Sequence, residues 1–108
     1  MENILRLINQ ALDEGWKELG LSGKGLTELP PEIGQLSNLT RLYLDNNQIT
    51  EIPESIGQLS NLTRLHLRNN QITEIPEPIG QLSNLTQLHL SFLSSNIQAS
   101  NQIEVSQQ

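Results

Sequence analysis

The residues of this chain best suited to metal binding or proton transfer near neutral pH are His66 and His89, which stand 23 positions apart. Near them, also spaced by 23 or multiples of it, are Arg41, Arg64 and Gln87, then Tyr43, then Asp45, Arg68, Ser22 and Ser91. A shared metal needs three or four convergent ligands. Two imidazoles with no carboxylate at the equivalent positions, in a chain without cysteine, make an incomplete site. Nucleophilic catalysis needs a serine, a histidine and an acid aimed at one another, whereas these residues repeat side by side and imply neither pocket nor triad. Gly23-Lys24-Gly25 lacks the flanking glycine and the Ser/Thr of a phosphate-binding loop. No enzyme, metal or cofactor is expected, and recognition by surface contact is the chemistry left open.

The spacing belongs to an internal repeat. Residues 39–61 read LTRLYLDNNQITEIPESIGQLSN and residues 62–84 read LTRLHLRNNQITEIPEPIGQLSN. They differ only as Tyr43 against His66, Asp45 against Arg68 and Ser55 against Pro78. Trp16, Leu39, Leu62 and Leu85 are equivalent, which gives units 16–38, 39–61, 62–84 and a partial unit from Leu85. Within a unit, apolar residues fall at Leu39, Leu42, Leu44, Ile49, Ile52, Ile56 and Leu59, a series with no single helix or strand period. It fits a short alternating strand, a turn, an extended Ile49–Pro53 segment and a looser helical turn. A unit this small cannot bury its apolar side alone and must stack on its neighbours in a solenoid.

Alternation on the strand turns the residues between inward leucines outward. One outward column holds Glu18, Arg41, Arg64 and Gln87; the next Gly20, Tyr43, His66 and His89; the third Ser22, Asp45, Arg68 and Ser91. Two of the three differences between the twin repeats fall in these columns, which marks this face as the one free to specialise. The bland alternative is a set of cross-strand ion pairs, Glu18 with Arg41 and Asp45 with Arg68, worth at most about 1 kcal/mol each. Arg64 beside Arg41 does not fit it, since adjacent like charges are unfavourable. Net charge is −6, and half of the acids, Glu28, Glu32, Glu51, Glu54, Glu74 and Glu77, lie on the extended and return segments. A nucleic-acid partner is therefore not expected.

Asn47 and Asn70 suit inward amides that bond the turning backbone, Pro53 and Pro76 an extended segment, and Gly34, Gly57 and Gly80 tight packing or a positive φ. Residues 1–15 read as a capping helix, with Ile4, Leu5, Ile8, Ala11 and Leu12 on its apolar face, Asn3 as cap and Gly15 as stop. One arginine against three acids there argues against a membrane-surface role. The start lacks a secretory-type leader and no segment has membrane-spanning length, so a cytoplasmic location is expected. Residues 91–108 leave the repeat frame, with Leu93 at the asparagine position. They read as a polar tail that is poorly ordered or folded over the open end.

The pattern L-x-x-L-x-L-x-x-N-x-I-x-x-I-P-x-x-I-G-x-L-x-x resembles a leucine-rich repeat. The segments 26–39, 49–62 and 72–85 resemble the 23-residue intracellular subclass found in Ras-binding scaffolds and bacterial Roco GTPase proteins. The resemblance implies a short right-handed α/β solenoid with a concave parallel sheet of about four strands. It also implies a bacterial signalling setting beside a Ras-like GTPase, whose own domain has no counterpart in this chain. The function expected is binding of a protein or peptide through Arg41, Tyr43, Asp45, Arg64, His66, Arg68, Gln87 and His89. The alternative is a self-assembly element that pairs through an uncapped strand edge at 87–91.

Overall fold

The computed structural model of the protein describes residues 4–73 and 77–91, together with the backbone of 104–107. Each coil begins with a strand: β1 (Glu18–Gly20), β2 (Arg41–Tyr43), β3 (Arg64–Leu67) and β4 (Gln87–Leu90). Neighbours pair in parallel, with Leu19, Leu42, Leu65 and Leu88 in register, so the 23-residue period is also the period of the sheet. The strand leucines point into the coils, where Leu42, Leu44, Leu65 and Leu88 are completely buried.

After β2 and β3 the chain turns on an asparagine pair. Asn46 and Asn69 adopt φ of 62° and 59°, a left-handed conformation that asparagine tolerates better than most residues. Asn47 then points inward and is 6% exposed. Its amide nitrogen donates to the carbonyls of Leu21 (2.9 Å) and Leu44 (3.0 Å), and its oxygen accepts from the backbone N–H groups of Lys24 and Leu26 (3.0 Å each). Asn70 repeats the arrangement one coil on, donating to Leu44 (2.8 Å) and Leu67 (3.1 Å) and accepting from Ile49 (3.0 Å). One side chain thus closes its own turn and ties it to the preceding coil, satisfying backbone groups that burial would otherwise leave costly.

The return path is extended at Pro53 (φ −66°, ψ 151°) and then forms a 3-10 helix, Glu54–Gln58, flanked in the stack by Pro31–Gln35 and Glu77–Gln81. This is the looser helical turn expected around Ile56 and Leu59. The 3-10 form follows from Pro53 fixing the entry and from the Leu59 N–H bonding back to the Ile56 carbonyl, which ends the helix after one tight turn. At Gly34 a Cβ would lie 2.6 Å from the Ser55 carbonyl oxygen, so close packing requires glycine there, whereas at Gly57 it would meet the Gln81 side chain, which can shift. Neither is among the positive-φ residues, and at Gly80 a Cβ would meet no atom of the described residues within 4 Å.

The N-terminal coil is covered by α1 (Ile4–Glu14), which packs against Pro31–Gln35. Ile8 and Ala11 are buried and Ile4, Leu7 and Trp16 pack against the core, whereas Leu5 and Leu12 are 39% and 42% exposed. The seated face is therefore rotated from the expected one: Leu7 belongs to it, and Leu5 and Leu12 do not. Gly15 (φ 65°) stops the helix, with its N–H bonding the Leu12 carbonyl (3.3 Å) and the Trp16 N–H bonding that of Ala11 (3.0 Å). The Trp16 indole N–H donates to Glu14 (2.9 Å), and this bond, helped by Gln10, lowers the Glu14 pKa. Asn3 lies outside the described residues.

At the other end a fifth strand extends the expected four. β5 (Glu104–Gln107) pairs in parallel with β4, Val105 in register with Leu88. Gln87–Leu90 is thus not a free edge, and the backbone row on which assembly through 87–91 depends is already occupied. Residues 92–103 and Pro76 lie outside the described residues. No described helix is long and apolar enough to cross a membrane.

Candidate functional site

The strand register places the outward residues in rows across the sheet. Glu18, Arg41, Arg64 and Gln87 form one row, Gly20, Tyr43, His66 and His89 the next. Apart from exposed Glu18 and Gly20, these side chains are half-buried between their neighbours. Asp45, Arg68 and Ser91 follow at the strand ends, linked coil to coil: the Asp45 carboxylate accepts from the Arg68 backbone N–H (2.7 Å), and Ser91 Oγ from that of Asn69 (2.6 Å).

The second row is an aromatic ladder. Tyr43 meets His66 edge-on at 4.8 Å between ring centroids, and His66 stacks on His89 at 4.1 Å with the planes 18° apart. Stacked rings direct their nitrogen lone pairs along parallel planes, which do not converge on one metal. Among the described residues no three His, Cys, Asp or Glu gather as a metal would require. Asp45 does approach the ladder diagonally, its carboxylate 3.7 Å from His66 Nδ1. The His66 pKa is nevertheless lowered, chiefly by burial and next by His89; Asp45 opposes this, while Arg68 and Arg64 add to it.

The expected ion pairs take another form. Glu18 accepts the Tyr43 hydroxyl (3.3 Å), and Asp45 is engaged by the Arg68 backbone N–H and faces His66. Arg41 and Arg64 stand in register on adjacent strands and make no ion pair among the described residues. Sequence reasoning missed the borders of the face. Threonine hydroxyls of Thr40, Thr63 and Thr86 bond the carbonyls of Lys17, Thr40 and Thr63 (3.1, 3.0 and 3.2 Å), and Asn69 Nδ2 bonds Asn46 Oδ1 (2.7 Å). The 23-residue recurrence of these residues was the available signal. Recesses lie around the return segments, lined by residues such as Glu51, Ile52, Ile72, Glu54, Glu77 and Pro78, and a small one lies between α1 and the first coil at Trp16 and Leu36.

A parallel sheet whose strands β1 to β4 recur every 23 residues, with inward asparagines closing β2 and β3, defines a leucine-rich-repeat solenoid. Residues 16–105 match the leucine-rich repeat region family, and the chain belongs to it. Among curated proteins none matches. Similar solved structures include a leucine-rich-repeat protein of Leptospira interrogans, at 30% identity and a TM-score of 0.58 over 87% of this chain and 36% of that one. Internalin C2 of Listeria monocytogenes aligns at 27% identity and a TM-score of 0.61, over 75% of this chain and 37% of its own. An internalin F of the same organism aligns at 27% and 0.54, over 73% and 24%. The chain thus spans between a quarter and about two fifths of the length of these relatives. Solenoids of this family characteristically present extended surfaces for binding other proteins.

Proposed function

We propose that this chain is a non-enzymatic protein-interaction module that binds a protein or peptide through its strand face. The observation that carries this reading is the half-buried ladder of Tyr43, His66 and His89 beside the adjacent Arg41 and Arg64. Aromatic and arginine side chains fixed by their neighbours lose little further freedom on binding and supply most interface energy. Net charge of −6, with acids concentrated on the extended and return segments, disfavours nucleic acid and anionic membrane. The narrower form of the reading, a recognition segment in a Ras-like GTPase context, is supported by the resemblance of the Ile-Pro-x-x-Ile-Gly-x-Leu segments.

The test is capture of partners by the immobilised intact chain, compared with a variant carrying Tyr43→Ala and Arg64→Ala. Proteins retained by the parent and lost by a variant that melts cooperatively are the expected result. An unchanged set of retained proteins would count against the strand face.

A further inference from the structure

We infer that the strand face selects an acidic peptide segment, whose carboxylates are received by the Arg41–Arg64 pair beside the Tyr43–His66–His89 ladder; this rests on the strand face being the binding face. Arg41 and Arg64 are register partners on adjacent parallel strands, so their backbones lie about 4.8 Å apart. Both are half-buried and occupy adjacent positions in the same outward row of the sheet. Like charges so placed are unfavourable, and the carboxylates that would relieve them are engaged elsewhere. Glu18 accepts the Tyr43 hydroxyl, and Asp45 accepts the Arg68 N–H and faces His66. Next to Arg64 in the row stands neutral Gln87, and Glu104 holds the register position beyond it.

An incoming carboxylate set between the arginines removes their repulsion and makes charge-assisted bonds that neither guanidinium makes with the described residues. The ladder supplies the rest of the contact, since a peptide lying across the strands above the arginine row also covers its rings. The charge of the whole molecule directs the same partner. Six Lys and Arg stand against twelve Asp and Glu, and the strand rows hold three of the six cations, Arg41, Arg64 and Arg68, with three acids, Glu18, Asp45 and Glu104. An acidic segment is repelled by the extended and return segments, which carry six acids and no Lys or Arg, whereas the strand face is balanced and offers it the Arg41–Arg64 pair.

The experiment is a random-sequence dodecapeptide array probed with the intact chain, with Arg41→Gln/Arg64→Gln and with Tyr43→Ala/His66→Ala. Glutamine is the natural residue of the next coil at this position, Gln87, so the first variant tests charge with little risk to the fold. We expect the bound peptides to be enriched in Asp and Glu, their Asn/Gln counterparts and the Arg→Gln variant to bind at least about tenfold more weakly, and added salt to weaken binding. The Arg→Gln variant should meanwhile melt no lower than the parent, which separates a lost contact from a lost fold. Selection of neutral or basic peptides that the Tyr43→Ala/His66→Ala variant no longer binds would overturn the acidic preference and leave the strand face as the binding surface. Peptides bound equally by all three proteins, or no bound peptides, would overturn both.

Discussion

Leu65 and His66 are consecutive residues with opposite fates, the first completely buried between coils and the second turned out onto the sheet. Leu65→Ala should cost about 2–5 kcal/mol, because the coils on either side hold the backbone and a cavity results. An outward strand histidine that touched only solvent would be removed at almost no cost. The position of His66 between Tyr43 and His89 raises the expected loss for His66→Ala to about 1 kcal/mol, still well below that of the leucine. Denaturant melts of the two variants test the inward and outward assignment, and equal losses would refute it. His66 also carries a pH dependence. Its folded-state pKa lies below the unfolded value, so the unfolded chain binds more protons as pH falls through the ordinary histidine range. This group therefore lowers stability on acidification, beginning near about pH 6.5 and continuing to the folded pKa. His66→Gln should lose less stability between about pH 7.5 and about pH 5 than the parent chain does, measured as the shift in urea midpoint. A parallel decline in both proteins would show that His66 is not the source.

Among the elements, the 3-10 helices separate what repetition reveals from what it conceals. Gly34, Gly57 and Gly80 are equivalent in sequence, yet a Cβ meets the Ser55 backbone at the first, the flexible Gln81 side chain at the second and no atom of the described residues at the third. Gly34→Ala should therefore cost about 1–3 kcal/mol by prising apart the first two 3-10 helices. Gly80→Ala should be neutral or stabilising by up to about 1 kcal/mol, since it stiffens the unfolded chain without a clash. Equal urea midpoints for the two variants would contradict the packing described. The strands and their outward rows were legible because the inward leucines and closing asparagines recur at one interval. The seating of α1 was not, because Leu5 and Leu12 lie close enough to the apolar stripe that only contact with the first coil decides its rotation. β5 was concealed for a different reason: parallel pairing is made by backbone groups, and residues 104–107 carry little of the repeat pattern that marks the other strands. The stacking of His66 on His89 follows from register, but the engagement of Glu18 by Tyr43 depends on side-chain reach that spacing does not encode.

At the scale of the whole molecule, stability is shared between coils rather than held by any one of them. The twin units 39–61 and 62–84 join in the same register as the units around them and through the same asparagine bond as the junction before them. The junction between them is consequently a joint that can be used again. A second copy of 62–84 inserted after Asn84 would meet surfaces the chain already knows how to cover, with the main new strain confined to Arg64 and Arg68 beside their own duplicates. We expect the lengthened chain to fold cooperatively and to melt above the parent, as followed by circular dichroism. A broad or lowered transition would show that the ends, and not the joints, decide the length. A gene that encodes such a joint can grow by copying a 69-base stretch of itself, each copy adding one strand's width of recognition surface while the two ends stay as they are.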